Sequence, residues 1–92
     1  NGVADCLREL SRLRIDDGDT IVARLFLEHA LILYGRVGND GGAAAAKMLL
    51  GDIDAVEGRG EASRARWEEA LAHWEAAGHA GWAAQVRQRL EG

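Results

Sequence analysis

The sequence predicts an all-α fold: two tandem antiparallel helix-turn-helix pairs followed by a short closing helix. Three observations lead there. The 92 residues include no proline, and Ala, Leu, Glu and Arg are abundant, a composition that favours helix. Apolar residues recur at spacings of three and four, the period of a helical face. Most of the twelve glycines fall in short clusters between those stretches, where a helix would stop. A chain this short buries only ~60–65% of its unfolded surface, so residues 1–92 form one domain with a modest core.

The elements follow in order. Val3, Leu7, Leu10 and Leu13 draw an apolar stripe on a first helix, which Gly18 terminates as a left-handed cap. Asp19 or Thr20 caps a second helix by accepting a free backbone N–H. That helix runs from Ile21 to Val37 with Ile21, Leu25, Ala30, Leu31, Tyr34 and Val37 apolar, and Gly38 ends it. Asn39 or Asp40 opens a third helix reaching about Glu57, with Met48, Leu49, Ile53 and Val56 as its stripe. Gly58 and Gly60 make the next turn. A fourth helix runs from about Glu61 to Ala77 with Trp67, Ala70, Leu71 and Trp74 on one face, and Gly78 breaks it. A closing helix spans 81–91. Connections of two to four residues make successive helices antiparallel. The second helix is apolar on most of its circumference, so it is expected at the centre, buried from several sides; the fourth is polar and is expected to face water.

The chain also matches itself. A shift of 40 residues places Leu10 on Leu50, Gly18 on Gly58, Glu28 on Glu68, Ala30-Leu31 on Ala70-Leu71, Gly38 on Gly78 and Leu50 on Leu90, without gaps. Tyr34 falls on Trp74 and Lys47 on Arg87. Alanine-rich sequence matches itself by chance, but glycines and a Glu-x-Ala-Leu block in common register do not. The first repeat covers about 3–38 and the second about 40–78.

These residues resemble the tetratricopeptide repeats. Leu50-Gly51, and more loosely Leu10-Ser11, fit the large-small step of that family's first helix. Gly18-Asp19 fits its turn and Gly58-Arg59 fits half of it. Ala23 and Ser63, then Leu27 and Trp67, then Ala30 and Ala70 fit the small-bulky-small steps of the second helix. The period is 40 rather than the usual ~34, the helix-ending proline is missing, and Arg14 and Asp54 stand where the family has an aromatic. The long-period wording is similar to repeats of large bacterial regulators. The resemblance implies an α-solenoid with a concave groove lined by the first helix of each pair. It implies groove positions at Asp5, Arg8, Arg12, Ile15 and Asp16, then Ala45, Met48, Asp52, Ala55 and Val56, with Gln85 and Gln88 continuing the surface on the closing helix. An extended peptide or a partner helix suits such a lining. The competing reading of Asp5, Arg8, Arg12 and Asp16 is a solvated charged face.

Other chemistry finds little support. A formal net charge of −4 and the lack of a basic run argue against nucleic acid. No apolar stretch approaches the ~18–20 residues of a membrane span. Cys6 has no second cysteine to pair with and is expected as a small buried residue; His29, in the apolar second helix, is expected in the core. Glu69, His73 and His79 lack a third or fourth ligand at zinc spacing. Gly38-Asn39-Asp40-Gly41-Gly42 with Lys47 lacks the Gly-Lys-Ser/Thr end of a phosphate loop. No nucleophile-base set stands out, so no catalytic residue, cofactor or metal is expected. Arg24 with Glu28, and Arg64 with Glu68, are read as structural i,i+4 pairs. Trp67 and Trp74 share a helix face and are expected to pack on the closing helix, with an aromatic self-association patch as the sharper alternative.

The expected function is therefore that of a protein–protein interaction scaffold and not an enzyme. The start at Asn1 fits a module cut from a larger cytoplasmic protein, and ten arginines against one lysine fit a GC-rich bacterial genome. A transcriptional regulator is the parent that the resemblance implies. Two alternatives stay open: a homodimer formed through exposed solenoid ends, where no N-terminal neighbour is expected to cover all of Val3, Cys6, Leu7 and Leu10, and a small-molecule-sensing helical domain.

Overall fold

The computed structural model describes residues 2–92. Five helices follow one another: α1 (Gly2–Asp16), α2 (Thr20–Val37), α3 (Asp40–Val56), α4 (Gly60–Ala77) and α5 (Ala80–Glu91). No strand occurs among the described residues.

One turn chemistry joins them all. Gly18, Gly38, Gly58 and Gly78 have φ of 83°, 68°, 81° and 76°, a region where a Cβ is strained and glycine is not. The N–H of the next residue then reaches back five positions, from Asp19 to the Arg14 carbonyl, Asn39 to Tyr34, Arg59 to Asp54 and His79 to Trp74, at 2.7–2.9 Å. This closes the free carbonyls of the finished helix and reverses the chain. The same residue opens the next helix. Asp19 accepts from the Val22 N–H and Asn39 from the Gly42 N–H, whereas Arg59 and His79 make no side-chain cap bond.

Each helix packs on its neighbours in sequence, and α1 also touches α3. The pairs run antiparallel: Asp5 early in α1 meets Tyr34 late in α2, Arg24 early in α2 meets Asp54 late in α3, and Arg64 early in α4 meets Leu90 late in α5.

Two apolar clusters form the interior, and α3 serves both. Leu49, Leu50, Ile53 and Ala46 of α3 meet Ala4 of α1 and Ala23, Leu27, Ala30 and Tyr34 of α2. Ala44, Ala45 and Met48 of α3 meet Ala70 and Trp74 of α4 and Ala83 and Val86 of α5. Complete burial of side chains such as Leu27, Leu50 and Ile53 contributes ~1.5–3 kcal/mol each. Glycine permits the closest approaches: Gly42 lies against the Tyr34 ring and Gly51 against the Trp67 indole, with no room for a Cβ at either.

Several expectations are corrected. The central helix is α3, because it packs on α1, α2 and α4 and serves both apolar clusters; α2 packs on α1 and α3 and leaves Ile21, Leu25, Ile32 and Val37 exposed. Cys6 and His29 are exposed for the same reason, lying on the sides of α1 and α2 that no helix covers. Arg24 turns to Asp54 of α3 and to Glu57 just after it, where a buried carboxylate attracts it more than exposed Glu28 does. Arg64 donates to the Leu90 carbonyl. Val56, placed on the apolar stripe of the third helix, is exposed. Trp74 does pack on the closing helix, stacking on Trp82 with ring centroids 5.1 Å apart. Among the described residues, no helix is long and apolar enough to cross a membrane.

Candidate functional site

The odd-numbered helices converge on one cleft of about 310 Å³. Its floor is the α3 stripe Ala45, Met48 and Leu49, which helical spacing of three and four sets on one face. The α1 wall carries Arg8, Glu9 and Arg12, and the α5 wall carries Trp82, Gln85 and Arg89. A smaller cavity of about 220 Å³ continues it, lined by Arg12, Ile15, Asp16, Leu49, Asp52 and Arg89.

Charge in the cleft is partly fixed and partly free. Asp52 is a hub: Arg89 reaches it with Nε at 2.8 Å and Nη2 at 3.1 Å, and Trp67 Nε1 donates to the same carboxylate at 3.1 Å. This two-bond geometry ties α5 to α3 and holds one wall. Arg12 pairs at 3.2 Å with Glu9, but both side chains are more than half exposed, so the pair exchanges readily with solvent or a ligand. Arg8 has a carboxylate of Asp5 only at 4.0 Å. Arg12 is thus exposed on the α1 wall above an apolar floor, and the half-buried Arg8 stands beside it.

Of the residues expected in a groove, the larger cleft unites Arg8, Arg12, Ala45, Met48 and Gln85, and its continuation adds Ile15, Asp16 and Asp52. Asp5, Val56 and Gln88 line neither cavity, and Ala55 is absent from both linings too. Asp5 instead accepts the Tyr34 hydroxyl at 2.5 Å, and that bond holds its carboxyl below the usual range. Burial, then the bond to Asp5, pushes the Tyr34 phenol up to about 12. Glu9, Leu49, Trp82 and Arg89 were not expected in the cleft. Trp82 lies three residues before Gln85 and Arg89 four after it, on the same helix face, a spacing that names the face but not what it meets.

Away from the cleft, Arg24 bonds Asp54 at 2.6 Å and Glu57 at 2.8 Å. The bond to Asp54 raises the Arg24 pKa further, and the bond from Arg24 lowers that of Glu57. Among the described residues, no group of three His, Cys, Asp or Glu is placed to hold a metal ion. Comparison with known protein families, with characterised proteins and with solved structures finds no match to this chain.

Proposed function

We propose that the chain is a tetratricopeptide-like interaction module that takes an extended peptide or a partner helix in the cleft between α1, α3 and α5. The observation that carries this reading is the cleft itself: an apolar floor of Ala45, Met48 and Leu49 under a rim holding Arg8 and Arg12. An apolar side chain of the partner fits the floor, and a flanking acidic residue suits the arginines. The four equivalent glycine turns support reading 3–38 and 40–78 as tandem repeats with α5 as their cap. The long-period resemblance adds a bacterial regulator in the cytoplasm as the parent context.

The test is selection from a displayed random-peptide library, followed by amide chemical-shift mapping with the selected peptide. Shifts at Arg8, Ala45, Met48 and Gln85 are expected, and Arg12→Glu should weaken binding at least ~10-fold. Shifts confined to α2 and α4, or no peptide tighter than ~1 mM, would overturn the reading.

A further inference from the structure

We infer that Trp82 is the anchor of the cleft, and that the partner segment lays an aromatic side chain on Trp82 and sets an acidic residue beside it on Arg12. This rests on the cleft being the binding site and names what that site selects. Among the five Phe, Trp and Tyr residues of the chain, Trp82 alone is exposed. It keeps 37% of its surface open and lines the cleft.

Register shows that helix packing does not ask for a ring at this place. Trp74 and Trp82 stand forty positions after Tyr34 and Gly42. There the Tyr34 ring lies on bare glycine backbone, with no room for a Cβ at Gly42. Here the ring of buried Trp74 lies on the ring of Trp82, with centroids 5.1 Å apart and planes at 18°. One helix junction closes with no side chain at all, and the other carries the largest one and leaves part of it in the cleft. Stacking on Trp74 also holds the indole in one orientation, so a partner bears little of the cost of ordering it. A half-exposed, pre-positioned tryptophan is the side chain best suited to anchor a contact, because it buries a large area and has only two side-chain torsions to fix.

The surroundings of the indole select its guest. A cation is one natural guest of an indole face. The cleft opposes it, since Arg8, Arg12 and Arg89 stand in the lining against the single carboxylate of Glu9. Arg89 is neutralised by Asp52, yet Arg8 and Arg12 still outweigh Glu9. The guest is therefore apolar, and a ring is favoured over an aliphatic chain, because aromatic pairs gain more than the area they bury. Met48 adds a polarisable thioether to the same lining, which favours a ring edge further. The acidic neighbour follows from Arg12 on the opposite wall. Its present partner Glu9, at 3.2 Å, is itself more than half exposed, so a carboxylate of the ligand displaces it at little cost. A guanidinium group then holds that carboxylate by charge-assisted hydrogen bonds.

The experiment is peptide selection on the 92-residue chain, with cleft binders identified by amide shifts at Ala45, Met48 and Gln85, then titration of the tightest one. Its sequence is expected to hold Phe, Tyr or Trp close to Asp or Glu. Trp82→Leu should weaken it at least ~30-fold with unchanged helicity by circular dichroism, and Trp82→Phe should keep it within about 5-fold. Replacing the aromatic residue of the peptide by Leu should cost as much on the wild-type chain and little more on Trp82→Leu, which reads the ring pair directly. The same cycle between the acidic residue and Arg12→Gln reads the second contact. Cleft-binding peptides without an aromatic residue, or an affinity that neither Trp82→Leu nor loss of the peptide ring changes, would overturn the inference and leave the cleft as the site. A selection that yields no cleft binder at all would remove both.

Discussion

Tyr34 is the only tyrosine, so its ionisation is directly visible as phenolate absorbance. Folded Tyr34 keeps its proton up to about 12, while an unfolded chain releases it near ~10. The stability it contributes is therefore whole below about 10 and is lost as pH rises from there toward about 12. A spectrophotometric titration should show the late midpoint with helicity falling in the same window, and Asp5→Asn should move that midpoint down. Two glycines make opposite cases. A Cβ at Gly42 overlaps the buried Tyr34 ring, so Gly42→Ala should cost about 1–3 kcal/mol in urea unfolding. A Cβ at Gly35 in α2 meets nothing within 4 Å, so Gly35→Ala should stabilise by about 0.5–1 kcal/mol. Arg24 covers the buried Asp54 carboxylate at 2.6 Å. Arg24→Ala should cost about 2–4 kcal/mol, because it strands that charge, and Arg24→Met combined with Asp54→Leu should recover most of the loss. A double-mutant cycle in urea would decide it.

At the scale of the element, four turns share one glycine geometry but not one cap. Asn39 Oδ1 accepts the Gly42 N–H at 2.9 Å, and Asn39→Ala should lower thermal stability by about 1 kcal/mol. Arg59 holds the equivalent place before α4 without a side-chain cap bond. Arg59→Asn should therefore gain about 0.5–1 kcal/mol, its exposed contact to Glu57 at 3.7 Å being worth little. The helices themselves were legible because each begins and ends at a local signal: Gly18, Gly38, Gly58 and Gly78 fall where the sequence placed its stops. Their neighbours were harder. The all-round apolar pattern of α2 says that the helix avoids water, yet it does not say whether its own chain or another covers the second side.

At the scale of the molecule, α3 couples the two apolar clusters, since Leu50 and Ile53 face one and Ala44 and Met48 face the other. All three tryptophans, Trp67, Trp74 and Trp82, lie in α4 and α5, so their fluorescence reports the second half alone. Urea transitions followed by fluorescence and by far-UV circular dichroism should coincide. Separate midpoints would mean that the helix pairs unfold independently of the shared helix. The cleft belongs to this scale as well. Arg8, Met48 and Gln85 come together because α1, α3 and α5 are alternate helices of one chain, each forty positions beyond the last.

The sequence by itself determined the five helices, their turns and their antiparallel order, because helical period, caps and left-handed glycines act over a few residues. The resemblance to tetratricopeptide repeats named eight of the residues that the cleft and its continuation bring together. Only the tertiary structure decided which helix is central, that Arg24 turns to Asp54, that Asp5 serves Tyr34, and that Trp82 and Arg89 close the cleft. Those outcomes depend on which faces meet across the chain, and an amphipathic pattern states that a face is buried without naming what buries it.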